Sequence, residues 1–236
     1  MSEYLDLHVI PRPEDSRSCE RMADLLSTAH YATIGLTIAT GLLNERVRSM
    51  RRIFEEHGVN TVLRADFKPD SRTELLRMLR RFRNLYDVVA VRCVNQQVAT
   101  VSCRDRRVDI VFFDVANRNL SFSHTFARLL RGAVEFNVVS DLLDQTDWWA
   151  FSRVHKAILV AREHHVKIIL SSGARNYEMV RSPFQVSALA MTLGLTQEES
   201  IRGVSSTPLS IVRENRMKRA PEYVEQGVKI IIPSGQ

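Results

Sequence analysis

Seven short β-rich runs separated by amphipathic runs constrain this chain more than any other feature. The runs are Tyr4–His8, Thr33–Ile38, Asn60–Ala65, Val88–Arg92, Asp109–Phe113, Val134–Val139 and Lys167–Leu170. Helical periodicity occupies the segments between them, at about 16–30, 44–57, 71–85, 95–103, 121–131 and 147–165. Strand–helix alternation with short connections implies parallel strands joined by right-handed crossovers. Seven such units point to an α/β fold, a TIM-barrel-like (β/α) barrel of about seven to eight parallel strands with extra C-terminal helices. The alternative is an open doubly wound sheet, but no G-x-G-x-x-G follows the first strand, which argues against a dinucleotide-binding version. A length of 236 residues suits one barrel domain spanning 1–236. The closing stretch Val228–Ile232 has the composition of one more strand, which either completes the barrel or pairs with a partner.

Several helices carry their own start signals. Asn44 is placed to cap the second, where Val47, Met50 and Phe54 form an apolar stripe; Leu75, Leu79 and Phe82 do the same in the third. Ser71-x-x-Glu74 and Thr196-x-x-Glu199 match the capping box, in which each side chain satisfies the other residue's free N–H. The segment from Lys167 to Leu195 is the most articulate. It opens with a strand at Ile168–Leu170, then the small-residue turn Ser171-Ser172-Gly173-Ala174 and a polar loop. A helix starts next, with Ser182 as N-cap and Pro183 in the first turn. Val186, Leu189, Ala190 and Leu193 share one face, and Gly194 ends the helix. The turn lies at the C-terminal end of a strand, where βα-loops carry function in barrels. Its backbone N–H groups and two hydroxyls are candidates to face an anion, with Arg175 next in the chain. A serine nucleophile is a poor reading, since G-x-S-x-G is absent and no histidine is placed by sequence to activate either serine; a turn whose small side chains allow close approach of RNA or a neighbouring loop is the sounder one.

Composition bounds the function classes. Hydrophobic content of 44% and charged content of 25% are those of a globular protein. No apolar run approaches the ~20 residues needed to span a bilayer, and MSEYLDLHV lacks the basic and apolar regions of a secretory signal. Cys19, Cys93 and Cys103 form no CxxC pair, so neither a disulfide framework nor a zinc site is expected, and a reducing cytoplasm is the default. Net charge is +6, from 33 Lys+Arg against 27 Asp+Glu. Only five of the basic residues are lysine; the other 28 are arginine. Arginine's planar fork binds phosphate bidentately and stacks on bases, which suits RNA. Codon usage in a GC-rich genome produces the same bias.

Because RNA affinity rests largely on phosphate contacts, cations near strand ends are the candidate RNA-binding groups. Arg92 ends the fourth strand, Arg175 follows the turn, and Arg181 precedes the helix cap. Arg128 and Arg131 fall in the last turn of the helix before the sixth strand, and Lys156 lies on the 147–165 helix. Arg213, Arg216 and Arg219 recur every third residue with Lys218 beside them, a basic stripe on one helical face. Arg104, Arg106 and Arg107 cluster before the fifth strand. Arg72, Arg77, Arg80, Arg81 and Arg83 are most simply the solvated face of an outer helix. Trp148 and Trp149 are adjacent, so they point about 100° apart on a helix; one is expected buried and the other exposed.

The turn and the helix after it also carry a resemblance. Strand, SSGA, then R-S-P-F-x-V-x-x-L-x-x-x-L-G-L resembles the signature of the ribonuclease P protein component 3 family, archaeal relatives of a eukaryotic nuclear ribonuclease P subunit. The match continues through TQEES and TPLSIVREN, and backwards over VDIVFFD and AVEFNVVSDLL, about residues 105–216 in all. The resemblance implies a barrel related to metal-dependent phosphoesterases of the polymerase-and-histidinol-phosphatase type. It also implies a subunit of a ribonucleoprotein that removes the 5′ leader from precursor tRNA. In the family the RNA subunit carries the chemistry with magnesium, and this chain brings no cofactor of its own. The implied partners are ribonuclease P RNA, the ribonuclease P component 2 protein and other protein subunits, in a heterotetramer with two copies of each of two proteins. Precursor tRNA is the substrate of the whole.

The related phosphoesterases open with His-x-His at the end of the first strand and collect further His and Asp ligands from later strand ends. Here the first strand gives Asp6-Leu7-His8, with Asp6 in place of one histidine. No other strand ends in histidine. His57, His164 and His165 sit at helix C-termini, where a partly positive ring complements the dipole. Asp114 and Glu135 are residual acids. A packed or hydrogen-bonded rim is therefore the expected role of Asp6 and His8, with no catalytic residue on the chain. The alternative is a metal-dependent phosphoesterase with a degenerate metal site.

Overall fold

A computed structural model describes residues 3–41, 43–142 and 148–219, with two short strands beyond them. The elements alternate along the chain: β1 (Tyr4–Val9), α1 (Ser16–Thr28), β2 (Tyr31–Ile38), α2 (Glu45–Glu56), β3 (Asn60–Phe67), α3 (Arg72–Phe82), β4 (Val88–Cys93) and α4 (Gln96–Arg104). Then come β5 (Ile110–Phe113), α5 (His124–Leu129), β6 (Ala133–Asn137), α6 (Trp148–Glu163), β7 (Lys167–Ser171), α7 (Pro183–Thr192), α8 (Gln197–Gly203), α9 (Ser206–Lys218), β8 (Tyr223–Glu225) and β9 (Val228–Lys229). β1 to β7 form one parallel sheet in sequence order. All seven expected strands are present. β6 stops at Asn137, so Val138 and Val139 are buried beyond the strand rather than in it. The helix expected over 71–85 ends its α-helical part at Phe82 and finishes as a 3₁₀ turn, Arg83–Leu85. The one expected over 121–131 is shorter, and residue 147, at the start of the helix expected over 147–165, lies outside the described residues.

The sheet closes on itself at only one end. At the C-terminal ends of the strands, Val9 bridges Ala174 and the Ile10 N–H donates to the Ala174 carbonyl at 2.8 Å. At the other end of the same seam, the Leu5 N–H donates to the Val204 carbonyl, between α8 and α9, at 2.9 Å. The C-terminal helices thus satisfy a strand edge that an eighth strand would otherwise cover. α9 lays Ile211 and Val212, with Leu209, against the interior residues Leu5, Val62, Val88, Ala90, Ile110, Ala133 and Ile169. This apolar floor fills the N-terminal half of the barrel. A second core lies outside the sheet, where Met22 and Leu26 of α1, Val47, Met50 and Phe54 of α2, and Leu75 and Leu79 of α3 pack. Of the stretch Val228–Ile232, the described part, β9, pairs antiparallel with β8 and not with the barrel strands; residues 230–232 lie outside the described residues.

Two local features shape the rim. Asp6 pairs with Ile34 and Val9 with Leu36, three residues of β1 against two of β2. Such a bulge re-aims side chains; here Leu7 joins the apolar floor while its neighbour His8 reaches the polar groups above it. Opposite the bulge, a Cβ on Gly35 would sit 2.2 Å from the Leu7 carbonyl oxygen, so only glycine permits the approach. The caps follow the sequence. Asn44, Ser182 and Thr196 each accept a first-turn N–H, and the last two form reciprocal capping boxes. Ser71 caps Glu74, but the Glu74 carboxylate reaches back to the Asp70 N–H, one residue short of a reciprocal box.

Candidate functional site

Above the apolar floor the barrel interior turns polar, and a single cation organises it. Arg64 projects inward from β3 between Val62 and Asp66, which share its face by the two-residue period of a strand. It is fully buried. Its two terminal nitrogens each donate to a Glu135 oxygen at 2.6 Å, its Nε donates to Asp66 at 2.6 Å, and Nη1 also donates to the Leu7 carbonyl at 3.0 Å. Glu135, from β6, also accepts from the Ser171 hydroxyl of β7 at 2.7 Å. His8 completes the group. Its Nδ1 lies 2.6 Å from the Asn137 side-chain oxygen, and its Nε2 makes a 2.9 Å ion-pair contact with Asp66.

Burial disfavours charge on every one of these groups. Arg64 nonetheless has its pKa raised, because Asp66 and Glu135 surround it. In return its charge holds Asp66 and Glu135 below the ordinary carboxylate range against the effect of burial. Burial and Arg64 push His8 down, but Asp66 and Glu135 outweigh them and leave it raised. Asp6 has no cation of this strength. Burial raises its pKa despite hydrogen bonds from Ser172 and the His8 backbone. At the edge of the cluster, burial pushes Asp141 up to about 7, with Asp114 and Glu135 adding to the effect.

The donors around Asp6 and His8 are largely engaged with protein groups. The carboxylates a divalent ion would need, Glu135 and Asp66, are committed to a guanidinium with both oxygens of Glu135 engaged. Asp6 instead accepts the backbone N–H groups of Ser172 and His8. Asp6 and His8 are parts of a hydrogen-bonded rim. Among the described residues, the one group with metal-ligand spacing is His124, Glu163 and His164, outside the barrel between α5 and the end of α6.

The SSGA turn is likewise turned inward. Ser171, Ser172 and Ala174 are buried; the Ser172 hydroxyl accepts from the Ala174 N–H, and the Ser172 carbonyl accepts from the Ser140 N–H. Gly173 has φ of 68°, and a Cβ there would sit 2.4 Å from the Ser140 hydroxyl. These groups join β7 to β1 and β6, and the small side chains of the turn let it approach the neighbouring loop at Ser140 closely.

The candidate cations divide between the two ends of the barrel. Arg92 and Arg175 meet at the rim, where with Lys68 they face Asp66, Asp114 and Asp141 across a cleft of about 160 Å³. Arg92 is ion-paired with Asp114. Arg175 is exposed and also lines a neighbouring groove of about 560 Å³ with Arg12 and Arg181. Arg181 donates to the Glu178 and Val180 carbonyls, so part of its capacity holds the loop. Lys156 is exposed on α6, beside Arg153, Arg118 and Trp149. Arg128, Arg131, Arg213, Arg216 and Lys218 are not at the rim. Arg128 lies in the last turn of α5 and Arg131 follows it, where the helix has run back down the barrel toward β6, and α9 lies against the floor at the same end. Arg131 lies beyond α5, not in its last turn. The 213–219 stripe is also divided: Arg213 lies 3.8 Å from Glu3, Lys218 bonds Glu214 at 2.8 Å, and Arg219 turns back onto Asp87 and the Tyr86 carbonyl. Arg83 is no solvated residue; it is largely buried and bonds Asp109 at 3.1 Å. Neither tryptophan is buried: Trp148 and Trp149 are 67% and 52% exposed and stacked at 4.1 Å, because α6 packs through Ala150, Val154, Ala157, Ile158 and Ala161 instead. Sequence reasoning misses Arg64, Lys68 and Arg12. Arg64 alone leaves a signal there, a charge at an inward position of a strand buried on both faces.

No helix among the described residues is long and apolar enough to cross a membrane. Two curated archaeal proteins named ribonuclease P protein component 3 are similar over nearly their whole length. The one from Methanococcoides burtonii is 24% identical over 98% of this chain and 95% of its own. The one from Methanosarcina mazei is 23% identical over 97% of this chain and 96% of its own. A chain of the cryo-EM structure of archaeal ribonuclease P with mature tRNA shares the fold, with a TM-score of 0.79 at 19% identity over 98% of this chain and 100% of that one. The family model for RNase P subunit p30 matches residues 3–220, and with that match across the whole barrel the chain belongs to the RNase P subunit p30 family.

Proposed function

We propose that this RNase P subunit supports removal of the 5′ leader from precursor tRNA without catalytic residues of its own, the chemistry lying on the RNA subunit with its magnesium. The observation that carries this reading is Arg64. Its guanidinium occupies the centre of the barrel's upper interior, where a phosphoesterase of this architecture would gather metal ligands, and it neutralises Glu135 and Asp66. A buried ion cluster whose Glu135 and Asp66 carboxylates are committed to Arg64 builds a rigid rim rather than an open coordination site. The chain then works by surface contact. It would pair with the ribonuclease P component 2 protein, two copies of each, and hold the catalytic domain of the RNA beside the other protein subunits. Exposed Arg175, with Arg92, Lys68 and Arg181, supplies cations at the rim for RNA or partner.

Reconstitution tests this. Adding the chain with its component 2 partner to ribonuclease P RNA should raise precursor-tRNA cleavage at low magnesium. No increase sinks the proposal. Manganese-dependent phosphatase activity of the isolated chain would instead favour a phosphoesterase.

A further inference from the structure

The basic residues absent from the rim reassemble at the opposite end. Arg106 precedes β5, Arg131 precedes β6, and Lys167 begins β7. Neighbouring parallel strands lie ~5 Å apart, so three cations from distant segments arrive side by side below the sheet. α9 crosses beneath them, anchored by Ile211 in the barrel floor, and delivers Lys218. Together these residues line a groove of about 550 Å³ with Gly132 and Asn215. Its floor is unyielding, because a Cβ on Gly132 would sit 2.3 Å from the Asp109 carbonyl oxygen. The Asn215 amide is fixed by donating to the Asp87 carbonyl at 2.9 Å.

Four cations line the groove against two acids, Asp109 and Glu214. Asp109 is engaged elsewhere, accepting the Val89 N–H at 2.8 Å and Arg83 at 3.1 Å. Glu214 pairs with Lys218 at 2.8 Å and also feels the charge of Lys167, which leaves Arg106 and Arg131 without an acid of their own. Arg106, Arg131 and Lys167 make no ion pair with a carboxylate among the described residues, and all three are exposed. The rim cleft differs: it is smaller, carries three carboxylates, and one of its arginines is already ion-paired. An open groove with spread, unpaired cations suits a chain of phosphates rather than one enclosed anion.

We propose that this groove at the N-terminal end of the barrel is an RNA-binding site that holds consecutive phosphodiesters, with Arg106, Arg131 and Lys167 as the principal contacts. The inference rests on the reading of the chain as an RNase P subunit and gives that reading a second RNA face, on the end of the barrel away from the strand C-termini. The RNA is either the ribonuclease P RNA or the precursor tRNA; both present the same backbone.

The test uses the full chain assembled with its component 2 partner and compares it with R106E/R131E/K167E. Binding to labelled ribonuclease P RNA and, separately, to precursor tRNA is measured across a series of salt concentrations. Each phosphate contact contributes about 0.7–0.9 to the slope of log affinity against log salt. The variant should therefore lose about 2 to 3 from that slope, with at least a tenfold weaker affinity at low salt, toward whichever RNA occupies the groove. Unchanged slope and affinity toward both RNAs overturn the proposal. Thermal melts accompany each measurement, and R106Q/R131Q/K167Q, which keeps polarity without reversing charge, replaces the triple reversal if that variant does not fold. The two ideas fail separately. If the unmodified assembly does not raise cleavage, the subunit reading falls; if it does and the variant binds as well as the parent, only the groove falls.

Discussion

Arg64 holds a full charge where no water reaches, and the surrounding residues explain how. Two carboxylates, a backbone carbonyl and the inward aim of β3 satisfy its guanidinium. Breaking such a pair costs more than the pair is worth, because the partner is left charged and buried. Arg64→Met should therefore destabilise the protein by about 3–5 kcal/mol in urea unfolding, and adding Glu135→Gln should recover part of that loss. A loss under about 1 kcal/mol would mean that water or another cation reaches Glu135. Asp141 has the opposite character. Burial raises its pKa to about 7, so the folded protein keeps a proton that the unfolded chain releases near 3.8. Between those two values stability falls as pH rises, and above the upper one the full cost is present. Asp141→Asn should unfold at higher temperature than the parent at about pH 8 and no higher at about pH 4; equal gains at both would refute the assignment. None of this is legible from residue types alone. Arg64 and Asp66 are two charges in a strand, and nothing local says that Glu135, 71 residues after Arg64, meets them.

At the scale of elements the chain is much more legible. Strand period, apolar stripes and caps place all seven parallel strands and the helices between them, since each signal acts within one turn or a few residues. What escapes is how elements use one another. The sequence of α9 reads as a basic stripe on one helical face, while its Ile211 and Val212 are buried in the barrel floor. The Arg213-to-Arg219 periodicity is real, but tertiary packing sends its members to different partners. Truncating the plug makes the point measurable. Ile211→Ala with Val212→Ala removes apolar volume from the floor that α9 covers, and should cost about 3–6 kcal/mol in denaturant unfolding. A change under about 1 kcal/mol would show that the helix only rests on the barrel. β8 and β9 teach the same lesson in reverse. The composition of Val228–Ile232 suits a barrel strand, but the seam is already bridged at Val9–Ala174 and satisfied at Leu5 by Val204, which leaves β9 to pair with β8.

At the scale of the whole molecule, the barrel separates two sets of cations. Its upper interior is filled by an ion cluster and its floor is covered by α9, so the exposed cations lie on the surfaces at the two ends. Arg175 is the clearest rim candidate, exposed where two clefts meet. Arg175→Glu should lower precursor-tRNA cleavage by the reconstituted assembly while shifting unfolding stability by under about 0.5 kcal/mol, as surface changes usually do. Unchanged cleavage would remove Arg175 from the functional surface.

The sequence by itself determined the alternation, the parallel sheet, the helix caps and the family, because those rest on periods and motifs confined to short segments. Only the tertiary structure decided what the charged residues do. Closing the sheet set His8, Arg64, Asp66 and Glu135 face to face, and a one-residue bulge in β1 aimed His8 among them. The same closure divided the arginines between rim and base, since helices return antiparallel to the strands they follow. Charges interact through distance in space, and that distance is fixed by register and closure, which no local stretch of sequence contains.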